Sequence, residues 1–95
     1  MTVEELRAEL EKIIISLTAS GFNNIDSGIT GKLDEFAIAA GKLDMKEGKR
    51  LIENLSETMK TIQEGKSKPE SGGLRLTALD FYLKKHSDSG IVEDL

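Results

Sequence analysis

Ninety-five residues are enough for one domain built on a single core. The chain contains no cysteine, so neither a disulfide framework nor a thiolate metal site supplements that core. A net charge of −4 argues against nonspecific binding to nucleic acid or to an anionic membrane.

The charge is unevenly spread: residues 1–35 carry net −4, residues 36–86 net +3 and residues 87–95 net −3. Only Phe22, Phe36, Phe81 and Tyr82 are aromatic, and Leu, Ile, Ala and Met dominate the 38% hydrophobic content. That composition suits packed helices, because sheets draw on more Val, Thr and aromatic residues. The longest run of large apolar residues, Ile13-Ile14-Ile15, is far too short to span a bilayer. The opening MTVEELRAEL places acids where an export signal carries bases. Cytoplasmic residence without membrane attachment is therefore expected.

Thr2 followed by Glu5 makes a capping box, in which hydroxyl and carboxylate each satisfy a backbone N–H of the first turn. Val3, Leu6, Leu10, Ile13 and Leu17 recur at spacings of three and four, with Ile14 alongside, and Gly21 supplies a stop. A first helix over about 3–20 follows. A second stripe, Ile29, Leu33, Phe36, Ala40 and Leu43, predicts a helix over about 29–42. Gly28 and Gly31 leave its start indefinite.

Continuing that phase past Leu43 would put Glu47, Arg50, Asn54 and Glu57 on the apolar seam, a prohibitive burial. The phase must break. Resetting it aligns Met45, Ile52, Leu55, Met59 and Ile62, with Asp44 and Glu47 as a second capping box and Gly41 ending the preceding helix. A third helix over about 45–63 ends at Gly65.

KSKPESGG, residues 66–73, holds the one proline and reads as an exposed loop. In LRLTALDFYLKKH, Leu74, Ala78, Phe81 and Tyr82 form one stripe and Leu76, Leu79 and Leu83 another. Their union covers more than half of a helical wheel, which predicts a helix over about 74–86 buried on several sides. Leu74-Arg75-Leu76 alternatively reads as a short extended entry with Thr77 as cap. Lys84, Lys85 and His86 complement the dipole at the helix end. The acidic tail 87–95 is expected to be mobile. The whole reads as an all-α, compact, four-helix bundle-like domain over residues 1–86, with short connections and mostly antiparallel neighbours.

The loop GFNNIDSGITGK, residues 21–32, invites a test for ligand chemistry. A phosphate loop would need glycine at Asp26 and a hydroxyl at Leu33, and no strand precedes it. A calcium loop with Gly28 sixth places Asn23, Ile25, Ser27 and Asp34 at ligand positions, and isoleucine cannot ligate. The stretch reads as a joint between helices, with spare amides at the start of the second helix.

His86 is the only histidine, and no serine lies in a nucleophile motif. No catalytic residue, metal ligand or cofactor is expected. FAIAAGKLDMKEGKRLI follows the helix-turn-helix pattern at Phe36, Ala37, Ala40 and Gly41. It departs where Lys42, Glu47 and Arg50 occupy positions that the motif buries. Lys42, Lys46, Lys49 and Arg50 remain candidate contacts to an anion or a nucleic-acid backbone.

The resulting expectation is a non-catalytic protein–protein interaction or assembly module, with a protein partner or a second copy of itself. Leu76, Leu79, Phe81 and Leu83 are the candidate interface, on the ground that a small chain struggles to cover so much apolar helix surface. The alternative is a nucleic-acid-binding regulator using the basic face around residues 42–50.

Overall fold

Thr2 and Glu5 close the expected capping box. The Glu5 N–H donates to Thr2 Oγ1 at 3.1 Å, and the Thr2 N–H donates to Glu5 Oε1 at 2.9 Å. Helix α1 runs Val3–Ser20 in a computed structural model that describes residues 1–22 and 27–92, and side chains over 1–22 and 28–85. Its buried face is Leu6, Leu10, Ile13, Ile14 and Leu17. Val3, at the head of the predicted stripe, remains exposed. Gly21 has φ 77 and ψ −176, so the stop has the expected positive φ but an extended ψ open essentially to glycine alone.

Helix α2 spans Ser27–Lys42, beginning two residues before the predicted start. Thr30, Leu33, Phe36, Ala37 and Ala40 are buried, and their packing outweighs the helix cost of Gly28 and Gly31. Helix α3 spans Lys46–Gln63 and buries Gly48, Ile52, Leu55, Ser56 and Met59. Glu47, Arg50 and Glu57 all face solvent, as the phase-break argument requires.

The break itself differs from expectation. Gly41 stays inside α2, and Asp44 is no N-cap: it adopts φ 61, and Met45 precedes α3 without a side-chain cap. The Met45 N–H donates to the Ala40 carbonyl at 2.9 Å, and the Asp44 N–H donates to the Gly41 carbonyl at 3.2 Å. This pair of bonds is a Schellman closure with Asp44 in the left-handed position. Gly65 (φ 77) ends α3 in the same way, with the Lys66 N–H on the Thr61 carbonyl and the Gly65 N–H on that of Ile62. One exit has its glycine and the other does not. Asp44→Gly is therefore expected to stabilise the fold by about 0.5–1 kcal/mol, since a side chain is disfavoured at positive φ. Urea denaturation should show a higher midpoint at unchanged slope.

Helix α4 spans Pro69–Val92, so the predicted 66–73 loop holds only over residues 66–68, and the extended entry at Leu74–Leu76 is overturned. Proline suits the first helical position, where no intrahelical N–H bond is needed and φ is already set. Thr77 is interior to the helix and its hydroxyl donates to the Gly73 carbonyl at 2.9 Å. The backbone of residues 87–92 continues the helix, so the predicted end at 86 and the tail from 87 are both displaced. The side chain of His86 and residues 93–95 lie outside what is described.

Around the bundle, α1 contacts α2 and α4, and α3 contacts the same two helices. The chain order thus runs around a square with α1 and α3 on one diagonal. The pairings of Asp34 with Ser56 and of Gly41 with Lys49 fix α2 and α3 as antiparallel. Among the described residues there is no strand. The molecule measures 45 × 23 × 18 Å, its long dimension exceeding the roughly 36 Å of the 24-residue α4.

Two helical glycines lie directly beneath aromatic rings. A Cβ on Gly48 would lie 2.9 Å from the Tyr82 hydroxyl oxygen, and one on Gly72 would lie 2.5 Å from Cδ1 of Phe22. Tyr82 has a second role. Gly48 is the third residue of α3, so its N–H lacks an intrahelical acceptor and bonds the Tyr82 hydroxyl. Burial pushes the phenol above its ordinary value, while the Gly48 bond partly opposes it. With one tyrosine and no tryptophan in the chain, ultraviolet titration reads Tyr82 alone. Its midpoint is expected above about 10 in the native protein and back at that value in denaturant. A raised folded pKa means the corresponding stability is present below about pH 10 and lost as pH rises beyond it. Coincident native and denatured titrations would refute the packing of Tyr82 on Gly48.

Candidate functional site

Four places carry concentrations of chemistry. The first joins α2 to α3: Ser56, 2% exposed, donates its hydroxyl to Asp34 Oδ1 at 2.7 Å, and Lys60 Nζ lies 2.9 Å from Asp34 Oδ2. Glu53, Asn54 and Glu57 complete an open polar cleft of ≈ 400 Å³ beside them. The ammonium of Lys60 pairs with the same carboxylate that accepts the serine hydroxyl. The group acts as a clamp between helices.

The Ser56 hydrogen bond, followed by that of Lys60, holds the Asp34 carboxyl below its usual range. A depressed carboxylate stabilises the fold above its unfolded value of about 3.9, and that contribution disappears as pH falls through the folded value. Asp34→Asn is therefore expected to flatten the loss of stability in acid. Denaturant midpoints measured from neutral pH to below pH 4 (roughly the carboxylate range) test this, and identical acid profiles for the two proteins would remove the clamp's electrostatic role.

The second place is the basic corner where α2 meets α3. Arg50 is committed to Glu47, through both its Nε and Nη2. The stem of Lys49 lies over Gly41, with Cδ 3.3 Å from where a Cβ would stand. Lys42, Lys46 and Lys49 are exposed and share the corner with Asp44 and Glu47. All four predicted cations thus face solvent, in mixed charge, with Arg50 alone tied to a carboxylate. The third place is a cleft of ≈ 200 Å³ between α1 and α2, floored by Ile13, Ile29 and Phe36 and rimmed by Lys12 and Lys32. Lys12 pairs with Glu9 at 3.2 Å.

The fourth is the outer face of α4. Leu76, Leu79 and Leu83 are 8%, 0% and 1% exposed and fill the core, so three of the four predicted interface residues are withdrawn from any docking surface. Phe81 alone of that set is accessible, at 73%. Roughly half a turn around the axis from the buried leucines, it shares a face with Leu74, 75% exposed, and the exposed Ala78. The predicted burial on several sides fails because α4 has only two neighbours in the square. Its outward side meets no other part of the described chain. The cue in the sequence was the strict stripe Gly72, Leu76, Leu79, Leu83, which identifies the core phase once Gly72 is counted as helical.

The glycine loop yields less. Gly28 and Gly31 lie within α2, and Gly31 is deep enough in the helix for its N–H to serve the helical ladder instead of a phosphate. Residues 23–26, which the phosphate and calcium alignments require, lie outside the described residues. Among the described residues no group of three or more acidic or histidine side chains could hold a metal ion, and no helix is long and apolar enough to cross a membrane. No protein family, curated protein or solved structure matches the chain. The class defined by the fold is an all-α, four-helix bundle-like protein.

Proposed function

We propose that this chain is a small, non-catalytic, cytoplasmic interaction or assembly module that docks a protein through the outer face of α4. The observation that carries the reading is the pairing of Leu74 and Phe81, each about three-quarters exposed, one heptad apart on a helix whose opposite face is fully engaged in the core. Two large side chains held in one row on a rigid helix offer an anchor at little entropic cost on binding. Helix-in-groove and helix–helix docking both use such rows.

The test is the double variant Leu74→Lys with Phe81→Glu. Because both positions are exposed, circular dichroism and thermal denaturation are expected to match the parent, while every association the parent forms, with itself or with another protein, is lost. Associations surviving the substitution would place the interface elsewhere and overturn the reading.

A second reading, a nucleic-acid contact through Lys42, Lys46 and Lys49, draws on three exposed cations at one corner. It is the weaker of the two, since Arg50 is bound to Glu47 and the corner carries two acids. Titration of duplex DNA at increasing salt decides it, because a backbone contact through three cations requires a salt slope of about −3.

A further inference from the structure

We infer that the partner received by the outer face of α4 is a second copy of the same face, packed antiparallel about a twofold axis passing at Thr77–Ala78. The inference rests on the docking reading above and adds the occupant and its register.

Three features of the face agree on that axis. First, Leu74 and Phe81 are placed symmetrically about the point between Thr77 and Ala78, about 10 Å apart along the helix. An antiparallel copy centred there sets each Leu74 against the partner's phenyl ring, and each ring against the partner's leucine. Second, the two central residues are small and exposed, so they allow the helices to approach closely. The Thr77 hydroxyl already donates to the Gly73 carbonyl and brings no unsatisfied donor to the interface.

Third, the charges at the two ends of the face are complementary only in the antiparallel sense. Glu70 lies in the first turn of α4, and Lys84 and Lys85 lie about four turns later. The midpoint between Glu70 and this lysine pair also falls at Thr77–Ala78. An antiparallel copy therefore brings each Glu70 beside the other chain's lysines, whereas a parallel copy stacks acid on acid and base on base. Lys84 holds Asp80 at 3.1 Å across an exposed i,i+4 pair, an interaction weak enough to exchange or share. Opposed helix dipoles add to the same preference. A symmetric interface of this kind closes on itself and leaves no surface for further growth.

The absence of cysteine makes the register directly measurable. Ala78→Cys places a thiol on each side of the axis, and Ile38→Cys places one on the exposed side of α2 as a control. The Ala78→Cys protein is expected to oxidise to a disulfide dimer, while Ile38→Cys remains largely monomeric under the same conditions. Sedimentation of the parent chain is expected to show a reversible dimer, weakened at least about a hundredfold by Phe81→Glu with helicity unchanged. Glu70→Lys is expected to weaken it roughly tenfold, and adding Lys84→Glu and Lys85→Glu to Glu70→Lys is expected to restore it.

Two results would overturn the inference. A parent chain that sediments as a monomer at all concentrations, with Ala78→Cys cross-linking no faster than Ile38→Cys, removes the second copy as partner. The docking reading then still stands or falls on associations with other proteins in the Leu74→Lys, Phe81→Glu experiment. A dimer that ignores Phe81→Glu and Glu70→Lys would remove this face, and with it both readings.

Discussion

Leu79→Ala is expected to cost about 2–5 kcal/mol of folding stability, while Leu74→Ala in dilute protein stays within about 0.5 kcal/mol of the parent. The two leucines are five residues apart on one helix and chemically identical. Leu79 is 0% exposed and Leu74 is 75% exposed, and that difference decides the outcome. Truncating Leu79 removes apolar atoms from the centre of the bundle and leaves a cavity that neighbouring side chains fill only in part. A small domain has about 5–15 kcal/mol in total, so the variant should unfold at markedly lower urea and temperature. Leu74 leaves no cavity. Equal losses for the two at low concentration would mean that α4 is buried on both sides within one chain. If the gap narrows as protein concentration rises, a second copy is covering the outer face.

Gly72→Ala is expected to destabilise by about 1–3 kcal/mol, although alanine is the better helix former by about 1 kcal/mol. The added methyl would stand 2.5–2.7 Å from three atoms of the Phe22 ring, well inside contact distance. Phe22 is itself buried beside the α1 exit, so the ring can yield only by disturbing the packing of α1 against α4. Removing the ring should reverse the sign. In a Phe22→Ala background, Gly72→Ala is expected to be neutral or to stabilise by up to about 1 kcal/mol, because space is now open and only the propensity gain remains. A double-mutant cycle by urea denaturation measures this coupling. A cycle with no coupling energy would show that Phe22 does not lie on Gly72.

These two cases also show where the sequence could be read and where it misled. The core stripes of α1, α2 and α3 were legible because each combines one clear apolar period with polar residues on the other side. Ile52, Leu55 and Met59 belong to a new phase chiefly because the old one would bury charge, and all three are buried. The start of α4 is hidden in the sequence because Pro69, Gly72 and Gly73 are loop-forming residues by local propensity. Proline at a first helical position and glycine under an aromatic ring follow from position and packing, which no local window contains. Asp44 departs from its local pattern for a related reason. Its spacing to Glu47 matches a capping box, but the chain must reverse within three residues between Lys42 and Lys46, and that geometry places Asp44 at positive φ.

The candidate site was half visible. Both apolar stripes of α4 are apparent in the sequence, and three of the four candidate interface residues, Leu76, Leu79 and Leu83, lie on the stripe that the fold buries. An amphipathic period shows which residues share a face but not which way the face turns when two apolar faces compete. The sequence by itself determined that this protein is all-helical, with four helices, one apolar seam on each of the first three, and no cysteine-based support. Only the tertiary structure decided that Leu76, Leu79 and Leu83 turn inward and that Leu74, Ala78 and Phe81 turn outward. The physical reason is that α4 has room against its neighbours for one face alone. Gly72 beneath Phe22 and Gly48 beneath Tyr82 set the rotation at which the helix fits.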